Sequence, residues 1–179
     1  DGLSDTQLGL ISSALISGAS IASVTAPVWV RSANWRTVSG AFIAGAILAL
    51  FAAMQIDRFA PLCTVFFVIG FLKGGIGAPS FAALGDTTNP ERNFGTSVAV
   101  QAALAAVAAV PMAAWLIPAY GPSGVYVSLI GALMLGFGAV AFLPRAGRTE
   151  PAASDHHGRI GWSSALLPFV AVMMGFMLF

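Results

Sequence analysis

Polar and apolar positions in this chain do not alternate. Long uncharged runs are separated by short charged clusters: Thr6 to Val30, Thr37 to Ile56, Asn93 to Pro144 and Ile160 to Phe179 contain no charged residue. A bilayer core is roughly 30 Å thick, and a helix needs about 20 apolar residues to cross it. Inside lipid the backbone must satisfy its own hydrogen bonds, so runs of this length without alternation predict helices rather than strands. Proline, glycine and charge mark the ends. The predicted spans are 8–30, 37–56, 61–84, 94–117, 123–143 and 162–179. The long run from Asn93 to Pro144 is divided because Pro118-Ala119-Tyr120-Gly121-Pro122 is a strong turn sequence. The predicted fold class is therefore all-α, a polytopic transmembrane helix bundle. Its domains are a bundle over 1–144, a linker over 145–161 and the start of a second transmembrane half over 162–179.

Composition supports that reading. Hydrophobic residues make up 58% of the 179 residues and charged ones 8%, and mean hydropathy is +0.87. A soluble domain carries about a quarter charged residues. The net charge of +1 and the lack of a basic patch give no sign of a nucleic-acid partner. Cys63 is the single cysteine, so an intrachain disulfide or a thiolate metal site is excluded. His156 and His157 lack a third ligand nearby and read as solvated linker. No cofactor is implied. There is no nucleophile–base–acid set, no H-E-x-x-H and no phosphate loop ending in Gly-Lys-Ser/Thr, so an enzyme is not expected.

The arginines give an orientation. Arg31, Arg36, Arg92, Arg145, Arg148 and Arg159 fall in the first, third and fifth connections, and only Arg58 falls on the other side. By the positive-inside rule those connections are cytoplasmic, residues 1–7 lie outside and the linker 145–161 is cytoplasmic. The expected location is the cell membrane, with the lipid bilayer as the first partner. The chain starts at Asp1 and stops inside an apolar run, which reads as a fragment or processed piece with no cleavable signal peptide.

Within the spans, small residues recur every four positions: Ala14, Gly18 and Ala22 in the first, Gly70, Gly74 and Ala78 in the third. Such stripes let helix backbones approach closely. Lys73 stands near the middle of the third span, where a charge costs about 2.5–3.5 kcal/mol on insertion scales. Gly70, Gly77 and Ser80 share roughly its face. A bundle interior or aqueous cavity suits it better than lipid, and substrate or ion handling is the functional reading; snorkelling or structural pairing is the alternative. Gln101 and the row Ser13, Ser17 and Ser20 either line a cavity or hydrogen-bond to neighbouring helices. No Asp or Glu lies inside a span, so a carboxylate proton relay is absent.

Three stretches carry a family resemblance. Ala26-Pro27-Val28-Trp29-Val30-Arg31-Ser32-Ala33-Asn34-Trp35-Arg36 resembles the cytoplasmic G-x-x-x-D-R-x-G-R-R loop of the major facilitator superfamily. Arg31 matches its arginine; Val30 stands for the aspartate, and Ala26 and Ala33 for the glycines. Gly70-Phe71-Leu72-Lys73-Gly74 resembles the R-x-x-Q-G pattern of helix four, with Gly70 for the arginine and Lys73 for the glutamine. Gly85-Asp86-Thr87-Thr88-Asn89-Pro90-Glu91-Arg92 resembles the acidic-then-P-x-x-R connection between helices four and five. The antiport pattern G-x-x-x-G-P is reduced to Ala106 and Val110-Pro111.

The resemblance implies the N-terminal half of such a transporter, from helix two to the start of helix seven. It also implies a secondary active transporter that moves a small solute by alternating access. Lys73 and Gln101 would serve substrate binding or coupling, and Arg31, Arg36, Asp86 and Arg92 a cytoplasmic gate, with Pro27 and Pro111 as candidate flex points. The solute is anionic if Lys73 attracts it, and the coupling ion, proton or sodium, stays open. Loss of the loop aspartate keeps a second expectation alive: a non-transporting membrane scaffold or degenerate fragment of the same fold.

Overall fold

The computed structural model describes residues 3–87, 89–141 and 143. The expected linker 145–161, the span 162–179 and the pair His156-His157 lie outside them. The chain is all-α, and no strand occurs among the described residues. Helices α1 (Asp5–Trp29), α2 (Trp35–Ala53), α3 (Phe59–Gly85), α4 (Pro90–Pro111) and α5 (Ile117–Val140) follow in order, with a π-helical turn, Met112–Leu116, between α4 and α5. Four apolar stretches are long enough to cross a membrane: α1, α2, α3 and the continuous stretch from Pro90 to Val140.

Local chemistry sets the ends. Ser4 caps α1 by accepting from the Gln7 amide while the Gln7 side chain accepts from the Ser4 amide, a reciprocal capping box. That cap starts the helix three residues ahead of the hydropathy edge. The Asn34 side chain accepts from the Arg36 and Thr37 amides and starts α2. Pro90 opens α4, where its missing N–H leaves no bond unmade.

The long run is broken within 118–122, as its composition suggests, but the break is confined to one residue: helical geometry runs through both prolines, and only Gly121 leaves it, at φ 61° and ψ −154°. A positive φ suits glycine, which has no Cβ to collide with the following carbonyl. Upstream, Pro111 withholds a donor from the ladder, and bonding slips to the wider register, with the Ile117 amide donating to the Met112 carbonyl. The irregularity expected at Pro111 thus takes the form of a π turn.

Neighbouring positions fix the packing directions. Leu15 meets Gly70, Gly18 meets Phe67 and Phe71, and Ala19 and Ala22 meet Gly74. These numbers rise together, so α1 and α3 run parallel. Phe42 lies on Gly75 and Gly45 on Leu72, so α2 is antiparallel to both. Gly40 faces Phe137, and Arg36 Nε donates to the Leu143 carbonyl, which makes α5 antiparallel to α2. Phe81 stacks on Phe94 across the short 86–89 connection, which turns α4 back along α3. Consecutive helices alternate in direction, and the stretch from Pro90 to Val140 doubles back at Gly121. Helix α3 is the hub, packed against α1, α2 and α4, and α5 packs on α2.

The most extensive contact joins α1 to α3. The two stripes of small residues meet there backbone to backbone. The main core joins Ile43 and Leu50 of α2 to Ile69 and Ile76 of α3 and Ile130 and Leu133 of α5. A smaller cluster of Ile11, Ala53 and Leu62 closes the opposite end. Trp35 is 2% exposed, and its indole N–H donates to the Val30 carbonyl at 2.6 Å. It thereby spans the 30–34 turn and fixes α2 against the end of α1. Trp35→Phe keeps most of the apolar bulk but leaves that carbonyl unpaired, at a cost of about 1–3 kcal/mol. The expected result is a lower melting temperature in detergent with an unchanged helical circular-dichroism spectrum.

Candidate functional site

Lys73 sits near the midpoint of α3, and three glycines around it decide where it points. Gly70 and Gly74 lie against α1, and Gly75 lies against the Phe42 ring of α2. At about 100° per residue, Lys73 occupies the side of α3 facing neither. Gly77, Ser80 and Leu84 follow it along that side, all buried, while Lys73 is half-buried.

The Phe81–Phe94 stack, with ring centroids 5.3 Å apart, sets the depth of α4 along α3; Phe81 itself lies on the side of Gly70 and Gly74. Lys73 lies about 12 Å below Phe81 along α3, and Gln101 about 11 Å below Phe94 along α4, at 1.5 Å per residue. The two residues therefore lie at about the same depth on consecutive helices. Gln101 is 5% exposed, and its side-chain N–H donates to the Ser97 hydroxyl at 3.0 Å. Ser97 is equally buried. Asn93, one turn nearer the helix start, is 6% exposed and donates to the Thr87 hydroxyl at 2.8 Å, which donates on to the Leu84 carbonyl at 2.6 Å.

Reasoning from the sequence found Lys73 and Gln101 but passed over Asn93 and Ser97. The signal for them was present: Asn93, Ser97 and Gln101 recur every four residues in an otherwise alanine-rich helix. The serine row of the first span behaves differently from the cavity lining considered above. Ser13, Ser17 and Ser20 are exposed, and the Ser13 and Ser20 hydroxyls donate to the Gly9 and Ile16 carbonyls of their own helix.

The residues expected at a gate gather at one end of the bundle. Arg31 follows α1, Arg36 opens α2, Asp86 closes α3, and Arg92 lies in the first turn of α4; Asp57 and Arg58 lie at the other end. Arg31 lines a cavity of about 350 Å³ with Ser23, Pro27, Gly74, Ala78 and Phe81. Arg36 is committed elsewhere, with its Nε on the Leu143 carbonyl beyond the end of α5. That contact ties α2 to α5 and sets a cation against the negative end of a helix dipole. Among the described residues, no three His, Cys, Asp or Glu side chains come together to hold a metal ion.

Set against protein-family models, curated proteins and solved structures, the chain matches none.

Proposed function

We propose that the chain is the N-terminal half of a secondary active transporter of the major facilitator type, moving a small solute across the cell membrane by alternating access. The observation that carries this reading is Lys73, a cation held at mid-span on a buried face and level with the Gln101 amide on the next helix. A charge placed there is costly in lipid and marks a substrate or ion pathway by default. The alternating helix directions support the same reading, because they gather Arg31, Arg36, Asp86 and Arg92 at one end. In this reading that end is cytoplasmic, as is the linker 145–161, and residues 1–7 lie outside.

Lys73 and Gln101 bind or couple the solute, which is anionic if the ammonium attracts it. The loop residues Arg31, Asp86 and Arg92 form the gate. Arg36, bound to Leu143, serves as a fixed tie within the half rather than as a moving part. The coupling ion is a proton or sodium.

The test is uptake by the intact protein in proteoliposomes, screened against radiolabelled organic anions. Lys73→Ala abolishes uptake at unchanged expression; full uptake by that variant overturns the assignment. Separately, a cysteine at Asp57, in a Cys63→Ser background, is labelled by an impermeant maleimide from outside intact cells. Labelling only after the cells are opened reverses the proposed orientation.

A further inference from the structure

The stripe of small residues on α3 is longer than the contact that fills it. Gly70, Gly74, Ala78 and Ala82 follow one another at every fourth position. At Gly70 and Gly74 the α1 helix closes on the stripe through Leu15, Ala19 and Ala22. Past Gly74 it does not: Ala78 and Ala82 line the cavity of about 350 Å³ between α1 and α3. From Gly74 to Ala82 is about 12 Å of helix at 1.5 Å per residue. The cavity is therefore a slot along α3, running from near mid-span to the arginine-bearing end.

Its walls and its mouth differ in chemistry. Ala26, Pro27 and Val30 of α1 form one wall, and Phe81, whose ring is braced by Phe94, stands on the other. Ser23 also lines the slot, but its hydroxyl donates to the Ala19 carbonyl of its own helix at 2.9 Å. Arg31 lies just past the end of α1, is exposed, and brings a charge to the lining. A guanidinium carries five N–H donors in a planar fork that suits phosphate, so one neighbour does not exhaust it. The same end bears Arg36 and Arg92 against Asp86 and Glu91, which leaves it cationic.

We propose that this slot binds an anionic phospholipid, with the phosphate on Arg31 and the first part of one acyl chain lying along Ala82 and Ala78 toward Gly74. Basic pockets between transmembrane helices recognise such head groups, and the cytoplasmic leaflet is where anionic lipids concentrate. A free phosphate would leave the apolar walls in water, whereas an acyl chain covers them. The site lies on the α1 side of α3, away from Lys73, and does not depend on it. It rests on the reading of these helices as membrane-spanning. Labelling at Asp57 reports the orientation and lipid binding reports the site, so each can fail without the other.

The test is native mass spectrometry of the full protein in detergent, titrated with phosphatidylglycerol, with phosphatidylcholine of the same chains, and with glycerol phosphate. Phosphatidylglycerol forms a saturable complex, and phosphatidylcholine, which has no net charge, binds roughly fivefold more weakly. Glycerol phosphate forms no complex over the same range. Arg31→Gln weakens the phosphatidylglycerol complex about tenfold, the loss of one charge-assisted hydrogen bond. Ala78→Leu fills the slot and weakens it as much, while Arg58→Gln at the other end leaves it unchanged. Equal binding of the two lipids, or full binding by Arg31→Gln or by Ala78→Leu, overturns the site. Glycerol phosphate bound as tightly as the lipid overturns the acyl-chain assignment. Arg31→Gln, at an exposed position, carries the test alone if the filled variant does not fold.

Discussion

Gly70→Leu is expected to abolish the folded bundle. The α1–α3 contact is made by backbones, and a single Cβ at Gly70 would already overlap the Leu15 carbonyl oxygen, while one at Gly18 would overlap the Phe67 carbonyl. Neither obstacle is the tip of a flexible side chain, so relief requires the helices to separate. In lipid, association rests on packing rather than water exclusion, and separation forfeits the contact itself. Overpacking a core typically costs about 1–3 kcal/mol where side chains can shift; here the obstruction is main chain and the loss is larger. Gly70→Ala should destabilise, and Gly70→Leu should yield aggregated protein on gel filtration in detergent. Gly95 and Gly131 serve as controls, because a Cβ at either meets nothing within 4 Å. Alanine there gains the helix preference over glycine, roughly 0.5–1 kcal/mol. A monodisperse, thermally unchanged Gly70→Leu protein would refute the backbone contact.

The small-residue stripes were readable in the sequence because their spacing is a property of one helix at a time. Which stripe meets which was not, since Gly40, Gly45, Gly95 and Gly131 are equally small. Only the fold shows that Gly18 and Gly70 are approached by main chain and the others are not. Helix positions were legible to within a few residues wherever charge or a cap marked the end, as with Ser4 and Asn34. The break within 118–122 was legible, but its confinement to a single residue was not, for a physical reason. Proline disrupts a helix by withholding a donor and crowding the preceding turn, but near a helix start it is tolerated. Pro118 and Pro122 each occupy such a place, on either side of the single residue, Gly121, that carries the kink.

Lys73 was conspicuous as a mid-span charge, but its direction was not determined by its own position. It follows from the packing of Gly70, Gly74 and Gly75 against two other helices. Asn93 and Ser97 became informative only once the Phe81–Phe94 stack had set the register of α4 on α3. The Arg36 contact with Leu143 joins residues 107 positions apart, and nothing local announces it.

Replacing Lys73 separates function from structure most cleanly when several variants are read together. A cation kept at mid-span to hold the helices together would make Lys73→Leu strongly destabilising, since removing one partner of a buried ionic contact costs about 3–5 kcal/mol. A cation kept for transport carries an insertion cost of about 2.5–3.5 kcal/mol at the bilayer centre. Removing it then leaves stability unchanged or raised. We expect the second pattern: Lys73→Leu loses at least 90% of uptake while its melting temperature in detergent does not fall. Lys73→Arg keeps the charge but exchanges a compact ammonium for a planar fork, and should retain part of the uptake with a raised KM. Gln101→Ala removes only a neutral polar group at the same depth and should weaken uptake less than Lys73→Leu does. A Lys73→Leu protein that transports normally but melts several degrees lower would identify the lysine as a structural tie and leave the site without its charged centre.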